Sequence, residues 1–197
     1  MSEKLITFVA PTFQQMPFIL PSFVYQLLAQ DNDQWAAIII HDGPSTDGSK
    51  EFMDGIVSKY PQHFTYFESE ERVGNWGHKN RHIGLMMVKT PWVAMTNADN
   101  QYCYAFVKHF LGDMTDGKTD AQTFPISHSY FGYEPFYRGF GCGATDLMQF
   151  IVRTEMAQTV GFTSELHHAD GVFLEAIKAA FPNMRLGVRT GLFGFHN

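Results

Sequence analysis

Residues 35–60, WAAIIIHDGPSTDGSKEFMDGIVSKY, contain a strand, a turn and a helix in succession. The run from Trp35 to His41 is almost entirely apolar, which is typical of a strand buried on both faces. Residues 42–45, Asp-Gly-Pro-Ser, come next and have the composition of a turn. Helical spacing then relates Phe52, Met53, Ile56, Val57 and Tyr60. This order predicts an α/β fold with a parallel sheet.

The same alternation continues on both sides of this stretch. Strands or helices are predicted over residues 5–11, 18–30, 64–67, 77–88, 92–96 and 104–113. We therefore expect a mostly parallel, twisted sheet flanked by helices, with ligands at the carboxyl ends of the strands. Functional residues should then follow Val9, Ile40, Phe67 and Met95.

Beyond residue 115 the alternation weakens. Residues 126–143 are rich in aromatics and glycine, which predicts a structured loop beside the site. Further elements are predicted over residues 149–153, 154–160, 172–181 and 191–195. No repeat or linker divides the chain, so we expect one domain over residues 1–197.

Composition excludes several classes of protein. The 197 residues are 45% hydrophobic, which suits one compact core. A net charge of -6 argues against a nucleic-acid partner, because phosphate binding normally requires a basic surface. The longest apolar run, Ala36 to Ile40, is far shorter than the roughly 20 residues of a membrane span. Residues 1–11 do not resemble a signal peptide, so a cytoplasmic location is expected.

Four segments meet at the predicted carboxyl edge of the sheet. They read PTF at 11–13, HDGPSTDGS at 41–49, GNWGHKNRHIGL at 74–85 and TNADN at 96–100. In content and order they resemble the family 2 glycosyltransferases, which have a GT-A fold. The resemblance continues through FIVRTEMAQTVGF at 150–162, HADGVFLEAI at 168–177 and GFHN at 194–197. It therefore extends along nearly the whole chain.

This resemblance implies transfer of a sugar from a nucleoside diphosphate sugar to an acceptor hydroxyl. UDP is the first expectation for the nucleotide, and the acceptor is an unspecified glycan, lipid or protein. Inversion at the sugar and assistance by Mn²⁺ or Mg²⁺ are also implied. Residues 1–114 would form the half that binds the nucleotide sugar, and residues 115–197 the half that binds the acceptor.

The resemblance assigns the metal to Asp99 and His196. Asp99 occupies the second acidic position of the family's Asp-x-Asp motif, where an oxygen ligand holds the cation that bridges both phosphates. The alternative for Asp99 is a turn residue after a strand. His196 matches a histidine that completes the metal shell in many relatives, and its alternative is a frayed terminal residue. Asn97 replaces the first acid of the motif, which predicts weaker metal binding or none.

Eight positions are implied to bind the donor nucleotide: Pro11, Thr12, Phe13, Asp42, Lys79, Asn97, Ala98 and Asp99. Asp42 would accept hydrogen bonds from the base or ribose, although it also suits a turn before Gly43. Lys79 replaces the family's arginine and would bind the base or the diphosphate. Arg81, further along the same helix, is expected to be solvated.

Asp170 is implied to be the general base that deprotonates the acceptor hydroxyl. The alternative for this aspartate is a helix N-cap. Glu175, further along the same helix, is expected to be structural or to support the residues that contact the ligand. Trp76, Tyr133 and Tyr137 are predicted to bind the acceptor, because their rings can stack on a sugar while their polar groups form hydrogen bonds.

Two other functions stay open. Asn97, His41 and Ala169 depart from the family's pattern, which is compatible with a catalytically silent binding domain. A sugar-phosphate nucleotidyltransferase would share the alternating architecture. That class carries a glycine-rich basic loop after the first strand, and PTFQQMP at 11–17 lacks it.

Overall fold

The computed structural model describes residues 3–114 and 117–196. None of the helices within these ranges is long and apolar enough to cross a bilayer. The strands and helices follow in the order β1 Ile6–Thr12, α1 Ile19–Leu28, β2 Trp35–His41, α2 Ser49–Lys59, β3 Phe64–Glu68, α3 His78–Met87, β4 Trp92–Met95, β5 Gln101–Tyr102, α4 Phe106–Met114, β6 Ala121–Thr123, β7 Ile126–His128, β8 Pro135–Phe136, β9 Phe150–Arg153, α5 Thr154–Val160, α6 Ala169–Ala180, β10 Leu186–Val188 and β11 Gly194–His196.

Seven strands form the main sheet in the order β10-β6-β9-β4-β1-β2-β3. The pairs β1/β2, β1/β4, β2/β3 and β6/β10 are parallel. Strand β9 runs antiparallel to its neighbours β4 and β6. The expected α/β fold, with a mostly parallel sheet flanked by helices, is confirmed.

The central strands contribute side chains to both faces of the main sheet, because successive side chains of a strand point in opposite directions. Phe8 of β1 packs into the core that includes α1, α2 and α4, whereas Val9 packs with α3, α5 and α6. Ile39 and Ile40 of β2 divide in the same way. Burial on both faces explains why these strands read as continuous apolar runs.

A second sheet has the strand order β5-β11-β7-β8. Strands β7 and β8 lie within residues 126–143, so the prediction of a loop there is wrong in part. A 3₁₀ turn over Ser129–Phe131 joins them. Strands of two or three residues are too short to have a recognisable apolar period. The parallel pairing of β7 with β11 places His196 beside His128.

The longer elements lie within about three residues of their predicted bounds, which is the usual accuracy of boundary prediction. The helix expected over 77–88 is α3, and the helix expected over 104–113 is α4. Helix α6 begins three residues before its predicted start at 172. The short strands β5, β6 and β10 were not predicted.

Strands β1, β2 and β4 end side by side at one edge of the main sheet. Thr12 pairs with His41 across the β1/β2 ladder. The amide of Thr96 donates to the Val9 carbonyl at 2.9 Å, and the amide of Ala98 donates to the Pro11 carbonyl at 3.3 Å. The polar segments that follow these strands are therefore in contact, as the parallel arrangement requires.

Candidate active site

Asp42, directly after β2, holds the segment that leads into α3. Its Oδ1 accepts hydrogen bonds from the Val73 amide at 2.9 Å and from the Asn80 side chain at 3.0 Å. Its Oδ2 accepts from the Gly74 amide at 2.9 Å. Asp42 is only 5% exposed. Its carboxylate therefore fixes the loop that borders the site.

The loop from Gly74 to Gly77 contains four consecutive residues with positive φ. This region favours glycine, and other residues held there are strained, a feature that is concentrated at functional sites. A Cβ on Gly77 would approach the Pro11 Cβ to 2.7 Å, so only glycine lets α3 begin this close to β1. The loop leaves Trp76 61% exposed at the mouth of the site.

A cavity of about 310 Å³ opens at the carboxyl edge of β1, β2 and β4, and we call it the strand-edge cavity. Six of the eight predicted donor-binding residues line it: Pro11, Thr12, Phe13, Asp42, Asn97 and Asp99. Ala98 contributes backbone contacts near this edge, but its side chain is fully buried. The other walls include Arg72, Trp76 and Arg81.

Phe13 and Arg72 stack on each other at one wall of the strand-edge cavity. The Arg72 Cζ lies 3.9 Å from the centroid of the Phe13 ring. The ring of His41 lies 5.8 Å from that of Phe13. Planar aromatic and guanidinium groups stack on other planar groups, so this wall suits a nucleobase. Arg72 was not identified from the sequence, since it belongs to no recognised motif.

Arg81 is 3% exposed, so the expectation that it is solvated is wrong. Its Nη1 donates to the Trp76 carbonyl at 2.6 Å and contacts the His78 Nδ1 at 3.1 Å. Its Nη2 donates to the Asn97 Oδ1. The helical turn of α3 directs Arg81 toward the sheet edge, where it lines the strand-edge cavity.

A second cavity of about 650 Å³ adjoins the first and shares Trp76, Arg81 and Asn97 with it. We call it the histidine cavity. Its other lining residues include His128, Tyr130, Phe131, Asp146, His167, Asp170 and His196. The ring of His167 meets Trp76 edge-on at 5.0 Å, which connects the loop before α6 to the mouth of the site.

Asp170 lies in the first turn of α6 and is half-buried in the histidine cavity. Its Oδ1 accepts a hydrogen bond from the Gly171 amide at 2.7 Å. The N-cap of α6 is His168, so the alternative assignment of Asp170 as the cap residue is wrong. Burial raises the pKa of Asp170, although the hydrogen bond from Gly171 and the charge of Arg81 act in the opposite direction.

Asp99 and His196 have the donor atoms that a divalent cation requires. The Asp99 Oδ1 and the His196 Nδ1 are buried and have no hydrogen-bond partner in the part of the chain that the structure describes. Burial raises the pKa of Asp99, against the lowering effect of His196 and Arg81. Carboxylate oxygen and imidazole nitrogen are both suitable ligands for Mn²⁺, so the donor chemistry of these two residues fits the implied cation. The Asn97 Oδ1 is occupied by Arg81.

His196 also belongs to a group with His128 and Asp146 whose potential ligand atoms all lie within 4.8 Å of one another. The two imidazole rings stack in parallel at 4.0 Å, and the His196 Nε2 lies 3.5 Å from the Asp146 Oδ2. The His128 Nδ1 accepts from the Tyr130 amide at 3.0 Å, which puts the proton of a neutral ring on Nε2. A protonated nitrogen is not a metal ligand, so His128 is a poor candidate.

His128 and Asp146 were not identified from the sequence. The Asp146 side chain accepts from the Met148 amide, and Gln149 completes the capping box of the short turn 147–149. The Asp-x-x-Gln spacing could have revealed this cap. It could not have revealed that the same carboxylate faces His196, since that contact depends on the second sheet.

Lys79 is exposed, and it lines a third cavity of about 680 Å³ between α3 and residues 162–165, which shares Gly74 with the strand-edge cavity. The structure therefore does not bring Lys79 to the strand-edge cavity. Tyr133 and Tyr137 are not among the residues that line the histidine cavity. Tyr130 and Phe131 from the same segment line it instead. The aromatic period was too irregular to indicate which rings face inward.

Residues 7–166 match the family model described as glycosyl transferase family 2. The chain belongs to this family. The teichoic acid poly(glycerol phosphate) polymerase of Staphylococcus epidermidis is 31% identical over 107 residues, which cover 54% of this chain and 14% of that protein.

Several solved structures share the fold. S. aureus TarS superposes with a TM-score of 0.78 at 16% identity, over 98% of this chain and 36% of TarS. TarS 1–349 in complex with UDP-GlcNAc superposes with a TM-score of 0.78 at 18% identity, over 97% of this chain and 58% of TarS 1–349. The mannosyltransferase PcManGT from Pyrobaculum calidifontis, in complex with GDP-Man and Mn²⁺, superposes with a TM-score of 0.75 at 16% identity. The superposition covers 99% of this chain and 57% of the mannosyltransferase. The chain thus spans less than two thirds of each of these proteins.

Proposed function

We propose that this chain transfers a sugar from a nucleoside diphosphate sugar to an acceptor hydroxyl. The observation that carries the proposal is the pair of adjoining cavities, which share Trp76, Arg81 and Asn97. The strand-edge cavity would bind the donor and the histidine cavity the acceptor. The residues between the cavities then lie where the sugar crosses from one ligand to the other.

The donor nucleotide would lie along the carboxyl edge of the main sheet. The wall formed by Phe13 and Arg72 suits the base, and Asp42 lies beside it. UDP is the first candidate, because TarS was solved with UDP and with UDP-GlcNAc. The GDP-Man complex of the mannosyltransferase makes a guanine nucleotide the second candidate.

Asp99 and His196 are the residues that would hold Mn²⁺ or Mg²⁺. A cation held there would offset the charge that develops on the departing diphosphate. The complex of the mannosyltransferase with Mn²⁺ supports a divalent metal in this fold. The unpartnered Asp99 Oδ1 and His196 Nδ1 support the same assignment from this chain's own residues.

Asp170 would act as the general base. Its carboxylate accepts the proton of the acceptor hydroxyl while that oxygen bonds to the anomeric carbon. The bond from this carbon to the diphosphate oxygen breaks, and its electron pair leaves with the nucleoside diphosphate. Attack opposite to the leaving group inverts the configuration. Burial supports this role, because it raises the pKa of Asp170 toward the range in which a base both ionises and accepts protons.

The acceptor would be a hydroxyl group of a glycan, lipid or protein. The histidine cavity has a volume of about 650 Å³, which matches a ligand of one or two sugar units better than a small metabolite. Trp76 and Tyr130 offer ring faces for stacking at its edge. Residues 1–114 supply most of the donor side, and residues 115–197 supply Asp146, Asp170 and His196 on the acceptor side.

A ligand panel followed by a transfer assay tests this proposal. UDP, GDP and their sugars are added to the protein with and without Mn²⁺, and the melting temperature is recorded, since a ligand of the native state raises it. The donor with the largest shift is then incubated with a panel of sugar, lipid and peptide acceptors. Release of the nucleoside diphosphate is measured together with the anomeric configuration of the product.

We expect one nucleotide to raise the melting temperature by several degrees, with a larger shift in Mn²⁺. An inverted product would support direct displacement, whereas a retained configuration would exclude it. Binding of a nucleotide sugar without transfer or hydrolysis would favour the silent binding domain. The absence of any shift with every nucleotide tested would contradict the proposal.

A further inference from the structure

We propose that Arg81 is the cation that binds the donor diphosphate directly, and that Asn97 keeps its charge available. This inference rests on the proposed function, because it assumes a nucleoside diphosphate in the strand-edge cavity. The family resemblance pointed to Lys79 for such a role, but Lys79 lies on another cavity. Arg81 instead lines both cavities, where the diphosphate and the transferred sugar would meet.

Arg81 is a buried cation, and its hydrogen-bond acceptors in the described residues are all neutral. Its partners are the Trp76 carbonyl, the His78 Nδ1 and the Asn97 amide oxygen. Its Nε has no partner in the part of the chain that the structure describes. Within the same residues, Arg81 forms no ion pair. Asp146, Asp170 and Asp99 act on this charge, but none of them contacts Arg81 in the described residues. A buried cation without an anion in contact is costly, so its position beside a cavity indicates an anionic ligand.

Neighbouring carboxylates keep Arg81 charged, and His78 fixes its orientation. Burial lowers its pKa only to about 10, because Asp146, Asp170 and Asp99 act in the opposite direction, so it is cationic at neutral pH. The His78 Nε2 donates to the Leu166 carbonyl at 3.0 Å, which leaves the His78 Nδ1 free to accept from Arg81. This contact ties the guanidinium to a second side chain.

Asn97 occupies the position where the family's motif has its first acid. An aspartate at position 97 would place a carboxylate on the Arg81 Nη2 and would neutralise it in a buried ion pair. Asn97 has the same shape and accepts the same hydrogen bond without adding a negative charge. The amide at position 97 therefore holds the Arg81 side chain in place without neutralising its charge.

The experiment compares UDP with uridine by isothermal titration calorimetry in EDTA, so that no divalent metal contributes. GDP and guanosine form the second pair of probes. The variants are Arg81→Met, Arg81→Lys and Asn97→Asp, with Lys89→Met as a control that removes an exposed cation just beyond α3. Melting temperature and circular dichroism verify that each variant is folded.

In the unmodified protein we expect the nucleoside diphosphate to bind about tenfold or more tightly than its nucleoside, as a charge-assisted contact would produce. Arg81→Met should abolish this difference while nucleoside affinity stays constant. Arg81→Lys should retain part of it, because the charge remains but the planar fork is lost. Asn97→Asp should reduce it as strongly as Arg81→Met does, and Lys89→Met should leave it unchanged.

If the diphosphate advantage survives in both Arg81→Met and Asn97→Asp, the inference is wrong while nucleotide binding stands. The same conclusion follows if the unmodified protein binds UDP and uridine equally in EDTA. Should Arg81→Met fail to fold, Arg81→Gln takes its place, because a carboxylate introduced at position 97 would also repel the diphosphate directly. Failure of every nucleotide to bind, even with Mn²⁺, would contradict both the inference and the proposed function.

Discussion

Carboxylates at the two ends of the main sheet have opposite surroundings. Asp120 lies at the amino end of β6, where it accepts hydrogen bonds from Arg153 at 3.1 Å and from the Arg185 Nη2 at 2.8 Å. These contacts hold its pKa well below the usual range. At the opposite end, burial raises the pKa values of Asp99 and Asp170, and among residues 3–114 and 117–196 no arginine contacts either carboxylate.

The difference separates carboxylates that stabilise the fold from those available to a ligand. A paired aspartate lowers the free energy of the native state, whereas a desolvated and unpaired one raises it. A chain retains the second kind where a ligand uses it, although ion-pair networks also shift pKa values. Substitution of a carboxylate of each kind should therefore have different consequences.

Asp170→Asn should lower the transfer rate by about 10²-fold to 10⁴-fold, because an amide cannot accept the acceptor's proton. Donor affinity should change little. In the unmodified protein the rate should fall as the pH drops through the pKa of Asp170, which burial raises. Steady-state rates measured against pH with saturating donor test this, and the acidic limb should be absent in the variant.

Stability provides the matching control for Asp170. A carboxyl whose pKa is raised by folding destabilises the native state once the pH exceeds that pKa, so Asp170→Asn should melt at an equal or higher temperature at pH 7. Glu175→Gln, on the exposed side of the same helix, should leave the rate unchanged. A clearly lower melting temperature for Asp170→Asn would contradict its placement among the unpaired carboxylates.

Asp99→Asn should lower the affinity for Mn²⁺ by more than about a hundredfold, since even outer-shell substitutions at metal sites cost 10-fold to 100-fold. Nucleotide binding in EDTA should persist, because Arg81 would still contact the diphosphate. Titration of Mn²⁺ in the presence of the nucleoside diphosphate measures the first quantity. Asp146→Asn is the matched comparison, and a larger loss there would move the metal to the group formed by His128, Asp146 and His196.

Asp120→Asn should lower the free energy of unfolding by about 2 kcal/mol, the usual loss when a charged hydrogen-bonding partner is removed. The pKa of Asp120 is depressed by folding, so its stabilisation is present above the usual aspartate pKa and is lost as the pH falls toward the lowered value. Urea unfolding should therefore separate the two proteins at pH 7 and bring them together in strong acid. Nucleotide affinity should be unaffected. A loss of nucleotide binding would contradict the assignment of Asp120 to the carboxylates that only stabilise the fold.

Sequence periodicity predicted the strands and helices that are long enough to have a period. Strands β1 and β2 and helices α2, α3 and α4 belong to this group. The motif segments also predicted six residues of the strand-edge cavity. The two-residue strands β5 and β8 lack a recognisable pattern, so the second sheet and the position of His128 within it were missed.

Cations of α3 show where residue-by-residue assignment fails. Lys79 matches the family's arginine in the sequence, and Arg81 matches no motif position. In the folded chain Arg81 is buried at the sheet edge and Lys79 is exposed. Side chains two residues apart on a helix, such as those of Lys79 and Arg81, point about 200° apart around its axis. The rotation of the helix about that axis therefore decides which of the two faces the ligand. That rotation is fixed by packing, which the sequence does not state.

Local sequence patterns are enough to predict the α/β architecture and the edge of the sheet at which the site lies. Both follow from local properties, because apolar periodicity selects strands and helices and parallel strands place their carboxyl ends together. Only the tertiary structure decided which side chains meet there. The contacts between Arg81 and Asn97 and between Asp146 and His196 join residues 16 and 50 positions apart. Packing between separate elements sets these contacts, and no local pattern encodes them.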